Sequence, residues 1–200
     1  MKDSSTKPSS SLSSTGAAPS STAAGAAVST TSSSAVSYTH LDLVAGAVAA
    51  LDAHEPPVII IDMGTATTIT VIGPNSRLLG GAILPGAAVS LEALSGAASL
   101  LPRISLEAPK RVIGSGTIEC MKSGAVFGAA CAIDGMIDRM EAELGGSAAV
   151  VATGGLAERI IPYCTHDIEL DDYMLLRGLS LIWQRNRRER RREAKQAPHA

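Results

Sequence analysis

The run VIIIDMGTATTITVI at 58–72 constrains the fold more than any other stretch of the chain. Val58, Ile59, Ile60 and Ile61 are all β-branched. Such residues lose rotamer freedom in a helix and pack well on a pleated surface, so 58–61 reads as a buried strand. The strand ends on an acid, Asp62, and a turn of glycine and threonine follows at once. Gly64 lets backbone come close to a phosphate because it has no Cβ, while Thr65, Thr67 and Thr68 offer hydroxyls and amides to phosphate oxygens. The carboxylate of Asp62 would hold a cation rather than touch phosphate directly. The same residues also fit an ordinary turn between antiparallel strands, with Asp62 solvated and the threonines present for β propensity.

Elements on either side of this run define the fold class. The alanine-rich stretch 43–51 predicts a helix, with Asp42 standing where an N-cap would be. Runs at 58–61, 67–72 and 78–84 predict strands, the last two joined by the hairpin signal Gly73, Pro74, Asn75 and Ser76. A small helix at 89–97 and an irregular span holding Pro102 and Pro109 come next. Then follow a long helix at 117–144 that Thr117 could cap, a strand at 148–152, a turn at Gly154 and Gly155, and a short helix at 156–161. A strand at 168–170 and a helix at 173–185 close the series. Three antiparallel strands followed by alternating helices and strands predict an α/β fold with a mixed sheet, one half of a ribonuclease H-like, actin-like ATPase unit.

The flanks read differently. Residues 1–37 are almost wholly Ser, Thr, Ala and Gly, a composition that cannot bury enough apolar surface to offset its conformational entropy, and predict disorder. The folded domain is expected over 38–186 and a basic disordered tail over 187–200. With aromatics at 2% the core must be aliphatic, and a net charge of -2 gives no global pull toward nucleic acid or membrane. RNRRERRREAK at 185–195 fits nucleic acid or an anionic surface by composition, but a solvated, fraying helix extension is the expectation, and nucleic acid is not expected as a partner. Cys120, Cys131 and Cys164 lack metal-ligand spacing and read as small buried hydrophobes. Asp52, His54 and Glu55 interrupt the longest apolar candidate, so no membrane span is expected and the cytoplasm is the default location.

DMGTATT at 62–68, GGAILPG at 80–86, RVIGSGT at 111–117, MKSG at 121–124 and ATGG at 152–155, in this order, resemble type III pantothenate kinases. The resemblance covers 42–186 and implies phosphorylation of pantothenate by ATP with Mg2+, the opening step of coenzyme A biosynthesis. Phosphoryl transfer asks mainly for positioning and charge neutralisation, and the chain holds no GxxxxGK[ST] loop that would place it elsewhere. By this resemblance Asp42 is the catalytic residue, an aspartate whose carboxylate accepts the hydroxyl proton. It lies within a pantothenate-binding segment of His40, Leu41, Asp42 and Leu43, although the family usually has glycine where His40 stands. Thr117 also contacts pantothenate, whereas Thr65, with Gly64, Gly154 and Gly155, faces the nucleotide. Asp62 binds a monovalent cation, K+ or NH4+. The resemblance further implies a homodimer, with the apolar face of 118–140 as its contact surface. A first phosphate loop of the form DxGNT is not found in 1–37, which predicts the C-terminal half of such a kinase with impaired activity. The alternative is a non-catalytic transcriptional accessory relative that keeps the scaffold and tolerates loss of Asp42.

Overall fold

The structure, a computed structural model, describes residues 38–196. Its sheet has the order β3-β2-β1-β4-β5. β1 (Val58–Met63), β2 (Ala66–Ile72) and β3 (Leu78–Pro85) form an antiparallel meander, while β4 (Ala149–Thr153) runs parallel to β1 and β5 (Glu169–Leu170) parallel to β4. This is the mixed sheet of a ribonuclease H-like half, as the sequence pattern predicts. Helices α1 (Tyr38–Ala53) and α5 (Met174–Gln196) pack on each other over one face of the sheet. On the other face lie α2 (Ala87–Ala97), α3 (Thr117–Leu144) and the short α4 (Ala157–Ile160).

Because side chains alternate along a strand, β1 serves both layers. Ile59, Ile61 and Met63 join the larger core with Val126, Ile133 and Ile137 of α3 and Ile160 of α4. Val58 and Ile60 join a smaller core with Ala49 and Ala50 of α1 and Met174 of α5. Each fully buried aliphatic side chain contributes about 1.5–3 kcal/mol, so this doubly covered strand is a main source of cohesion. The same alternation turns Asp62 toward α1 and α5. Those two helices touch closely at Gly178, where a Cβ would collide with the carbonyl of Ala45. Arg177 adds a tie, its Nη2 lying 2.8 Å from Oδ2 of Asp171 and donating to the carbonyl oxygen of Ala49 at 3.3 Å.

Several expectations change. Helix α1 begins at Tyr38, so Asp42 lies a turn inside it and is not a cap. Gly116 occupies the cap position of α3 without any side-chain hydrogen bond, which removes capping as the role of Thr117. Helix α5 continues to Gln196, so the expected disordered tail is helical over its first part. Arg, Glu, Ala and Lys are strong helix formers, and Arg185 and Glu189 pair one turn apart at 3.4 Å. Cys120 and Cys131 are exposed and Cys164 is half-buried, so the cysteines are not buried core residues. By length and composition α3 could cross a bilayer, contrary to the expectation that no segment approaches this. In the fold it buries Met121, Val126, Ala130, Ile133 and Ile137 against the sheet and its companion helices, as a packed core helix does. The disorder expected of 1–37 lies outside the described residues.

Candidate active site

Asp62 stands opposite Thr68 of β2 and beside Thr153 of β4, and Thr68 stands opposite Ile83 of β3. Neighbours in such a row project from the same face of a sheet. A transverse line of Ile83, Thr68, Asp62 and Thr153 therefore crosses the face that α1 and α5 cover, with Thr70 one step behind it. Together with Asp42 and Leu43 of α1, these residues line a cavity of about 240 Å³. Ile60, Met174 and Leu175 supply its apolar wall.

The two acids thus meet in one place. Asp42 is exposed at the cavity, while Asp62 is half-buried. Burial, and secondarily the charge of Asp42, push the Asp62 carboxyl above its usual range. A half-buried carboxylate that shares a cavity with a second acid and with threonine side chains is a donor set suited to an oxygen-seeking cation.

Turns at the end of β1 complete the surroundings. Gly64 and Thr65 form the turn into β2, and the amide of Gly86 donates to the carbonyl oxygen of Thr65 at 3.1 Å. A Cβ at Gly86 would stand 2.6 Å from the Gly64 carbonyl oxygen, so GGAILPG ends in glycine where two backbones touch. From the other side, the amide of Leu156 donates to the carbonyl oxygen of Met63 at 3.1 Å. Gly154 has φ +96° and lies so near Asp62 that a Cβ there would be 2.7 Å from Oδ1. Gly155 follows in the same turn and is exposed.

The predicted residues do not all converge. Asp42, Leu43 and Asp62 share the cavity, and Gly154 abuts it. Leu41 is exposed on α1, and the side chain of His40 lies outside those described. Thr65 is exposed in the turn, whereas Thr67 stands opposite Met63 and is buried on the other face, where it cannot serve the cavity. Thr117 lines a separate groove of about 730 Å³ with Leu91, Cys120 and Met121, and no residue is common to the two linings. Thr70 and Thr153, buried in the cavity floor, escape sequence reasoning. Thr70 is findable from the period of two that links it to Thr68, but Thr153 needs the parallel pairing of β4 with β1.

A family model described as Type III pantothenate kinase matches residues 30–139. The chain belongs to the type III pantothenate kinase family. Its curated relatives include a type III pantothenate kinase of Moorella thermoacetica, 41% identical over 72% of this chain and 57% of the relative. Another, from an Anaeromyxobacter species, is 44% identical over 73% of this chain and 58% of the relative. The chain thus spans somewhat more than half the length of the curated relatives it matches.

Among solved structures, a Campylobacter jejuni protein described as a conserved Baf family transcriptional activator superposes with TM-score 0.51 at 26% identity, over 74% of this chain and 65% of that one. The activator of 2-hydroxyisocaproyl-CoA dehydratase from Clostridium difficile, solved with ADPNP bound, superposes with TM-score 0.50 at 17% identity, over 79% of this chain and 71% of that one. The second likeness is one of fold alone.

Proposed function

We propose that this chain takes part in transferring the γ-phosphoryl group of ATP, bound with Mg2+, to the primary hydroxyl of pantothenate, the opening step of coenzyme A biosynthesis. One observation carries the reading: Asp42 and Asp62, which the resemblance pairs as base and cation ligand, line one cavity. Asp42 accepts the hydroxyl proton as the oxygen attacks the γ-phosphorus, the bond from that phosphorus to the bridging oxygen breaks, and ADP departs. A positioned base of this kind contributes roughly a hundred- to ten-thousandfold in rate.

Asp62, with the hydroxyl oxygens of Thr68 and Thr153 beside it, would hold a monovalent cation, K+ or NH4+. When bound, that cation offsets negative charge near the phosphates. Its fit rests on the carboxyl of Asp62, which burial and Asp42 together make costly to ionise without a counter-charge. Leu43 lines the pantothenate end, and the turn of Gly64 and Thr65 with that of Gly154 and Gly155 would face the nucleotide. His40 and Leu41 belong to the same proposed substrate segment. Thr117, in its own groove, would reach pantothenate from a second copy of the chain, with the exposed Ile118 at the contact.

The test is a phosphorylation assay with ATP, pantothenate and KCl. Turnover is expected to need K+ or NH4+ and to fall at least a hundredfold in Asp42→Asn. Turnover untouched by Asp42→Asn contradicts the assignment. The likeness to a protein described as a transcriptional activator favours a second reading, a regulatory relative whose activity in cells survives Asp42→Asn.

A further inference from the structure

Trp183, the chain's one tryptophan, stands midway along α5 and is 60% exposed. One turn further on, Arg187 lies over its ring with the guanidinium carbon 5.2 Å from the centroid. Trp183, Asn186, Arg187, Arg190 and Arg191 line a single shallow groove, with no acidic side chain among them. Spacings of three, four, seven and eight residues put them on one helical face. The other arginines are placed differently. Arg185, Arg188 and Arg192 line a separate groove beside α1, whose walls include Asp52 and Glu189. Glu189 pairs with Arg185 there at 3.4 Å. Among the described side chains, the helix therefore sorts its basic residues into a set beside acids near α1 and a set whose groove near Trp183 is lined by none. Composition alone cannot show that sorting, and for that reason the sequence favours a merely solvated extension.

We propose that this face of α5 binds single-stranded nucleic acid, its arginines on the phosphates and the open side of the Trp183 ring stacked on a base. The basic residues of 185–192 are six arginines and no lysine. The guanidinium fork matches phosphate oxygens in pairs and lies flat on an aromatic ring, whereas an ammonium offers only a point charge. An indole beside a row of guanidinium groups makes the combination of stacking platform and charged track that unpaired strands require. A membrane surface is a poorer match. The exposed apolar side chains Leu176, Leu179 and Trp183 stop where the arginines begin, and 187–192 has no apolar side chain to enter an acyl boundary. A net charge of -2 makes the attraction local to this face.

Because Trp183 is the sole tryptophan, its fluorescence reports on this site alone. The full chain would be titrated with a short oligothymidylate at several salt concentrations. Quenching is expected, with affinity falling roughly twentyfold between about 50 and 200 mM salt if three phosphates are engaged, since each contributes about -0.7 to the logarithmic slope on single strands. The variant R187Q/R190Q/R191Q is expected to lose at least tenfold in affinity and most of the salt dependence, with an unchanged circular dichroism spectrum. R185Q/R188Q/R192Q should stay within about threefold of the parent. The proposal is overturned if oligothymidylate leaves the fluorescence unchanged, if duplex DNA or phosphatidylserine vesicles quench it where oligothymidylate does not, or if both triple variants lose affinity equally.

Discussion

Asp42 on α1 and Asp62 on β1 open onto one cavity, and the charge of the first adds to burial in making the second harder to ionise. Helix packing brings this about. Gly178 lets α5 lie tight against Ala45, and α5 in turn holds α1 over the end of the central strand.

The raised carboxyl of Asp62 fixes the sign of a stability change with pH. The folded chain holds this proton more tightly than the unfolded chain, so ionising Asp62 opposes folding. That penalty is absent below the ordinary value of 3.8, develops as pH rises past it, and is complete above the raised folded value. Asp62→Asn should therefore gain stability relative to the parent as pH rises from about 4 toward neutrality. Urea unfolding of both proteins across that range checks the trend, and a difference that stays flat counts against it.

Gly154→Ala should destabilise the fold and disturb the site together. The new methyl would sit 2.7 Å from Asp62 Oδ1 and from the amide nitrogen and carbonyl oxygen of Met63, on a backbone with φ +96°. Left-handed backbone in a residue with a Cβ costs about 1–3 kcal/mol before the crowding is added. Thermal unfolding reads the loss, and a melting temperature equal to that of the parent would show that β1 yields easily.

Gly178→Ala should cost about 1–3 kcal/mol by forcing α5 away from α1, as overpacked contacts do. Since Asp42 rides on α1, the same substitution is expected to weaken the proposed binding of pantothenate, measured by calorimetry. Gly96→Ala, on an exposed position of α2 with open space for a methyl, is the control and should be neutral or mildly stabilising.

The thiol of Cys164 is pushed up to about 12, chiefly by burial and then by the charge of Asp134 and by Cys131. The thiolate is the reactive form, so at about pH 8 iodoacetamide should modify the exposed Cys120 and Cys131 well before Cys164, as read by mass spectrometry of peptides. In urea the order should disappear. Early labelling of Cys164 in the folded chain would mean that the segment at 161–164 opens readily.

Local pattern made the sheet readable. The β-branched run at 58–61, the hairpin residues at 73–76 and the glycine pair at 154–155 each mark an element found within a residue or two of its expected place. Long-range placement was less legible. The short-range signals give no view of β4 entering beside β1, which sets Thr153 next to Asp62, or of the groove that separates Thr117 from the acids. Capping also misled: Asp42 lies a turn inside α1, and Thr117 is the first residue of α3, with Gly116 at its cap. Within DMGTATT, composition treats Thr67 and Thr68 alike, and only the pleat divides them between core and cavity.

The most direct test of the central claim is the carboxyl 13C resonance of Asp62, followed by NMR across a pH titration in the parent and in Asp42→Asn. If the two carboxylates face one another across the cavity, the midpoint of Asp62 falls when Asp42 loses its charge, while burial keeps it above the ordinary aspartate range. An identical midpoint in a folded Asp42→Asn variant would show that the acids do not interact, and the shared site would be contradicted.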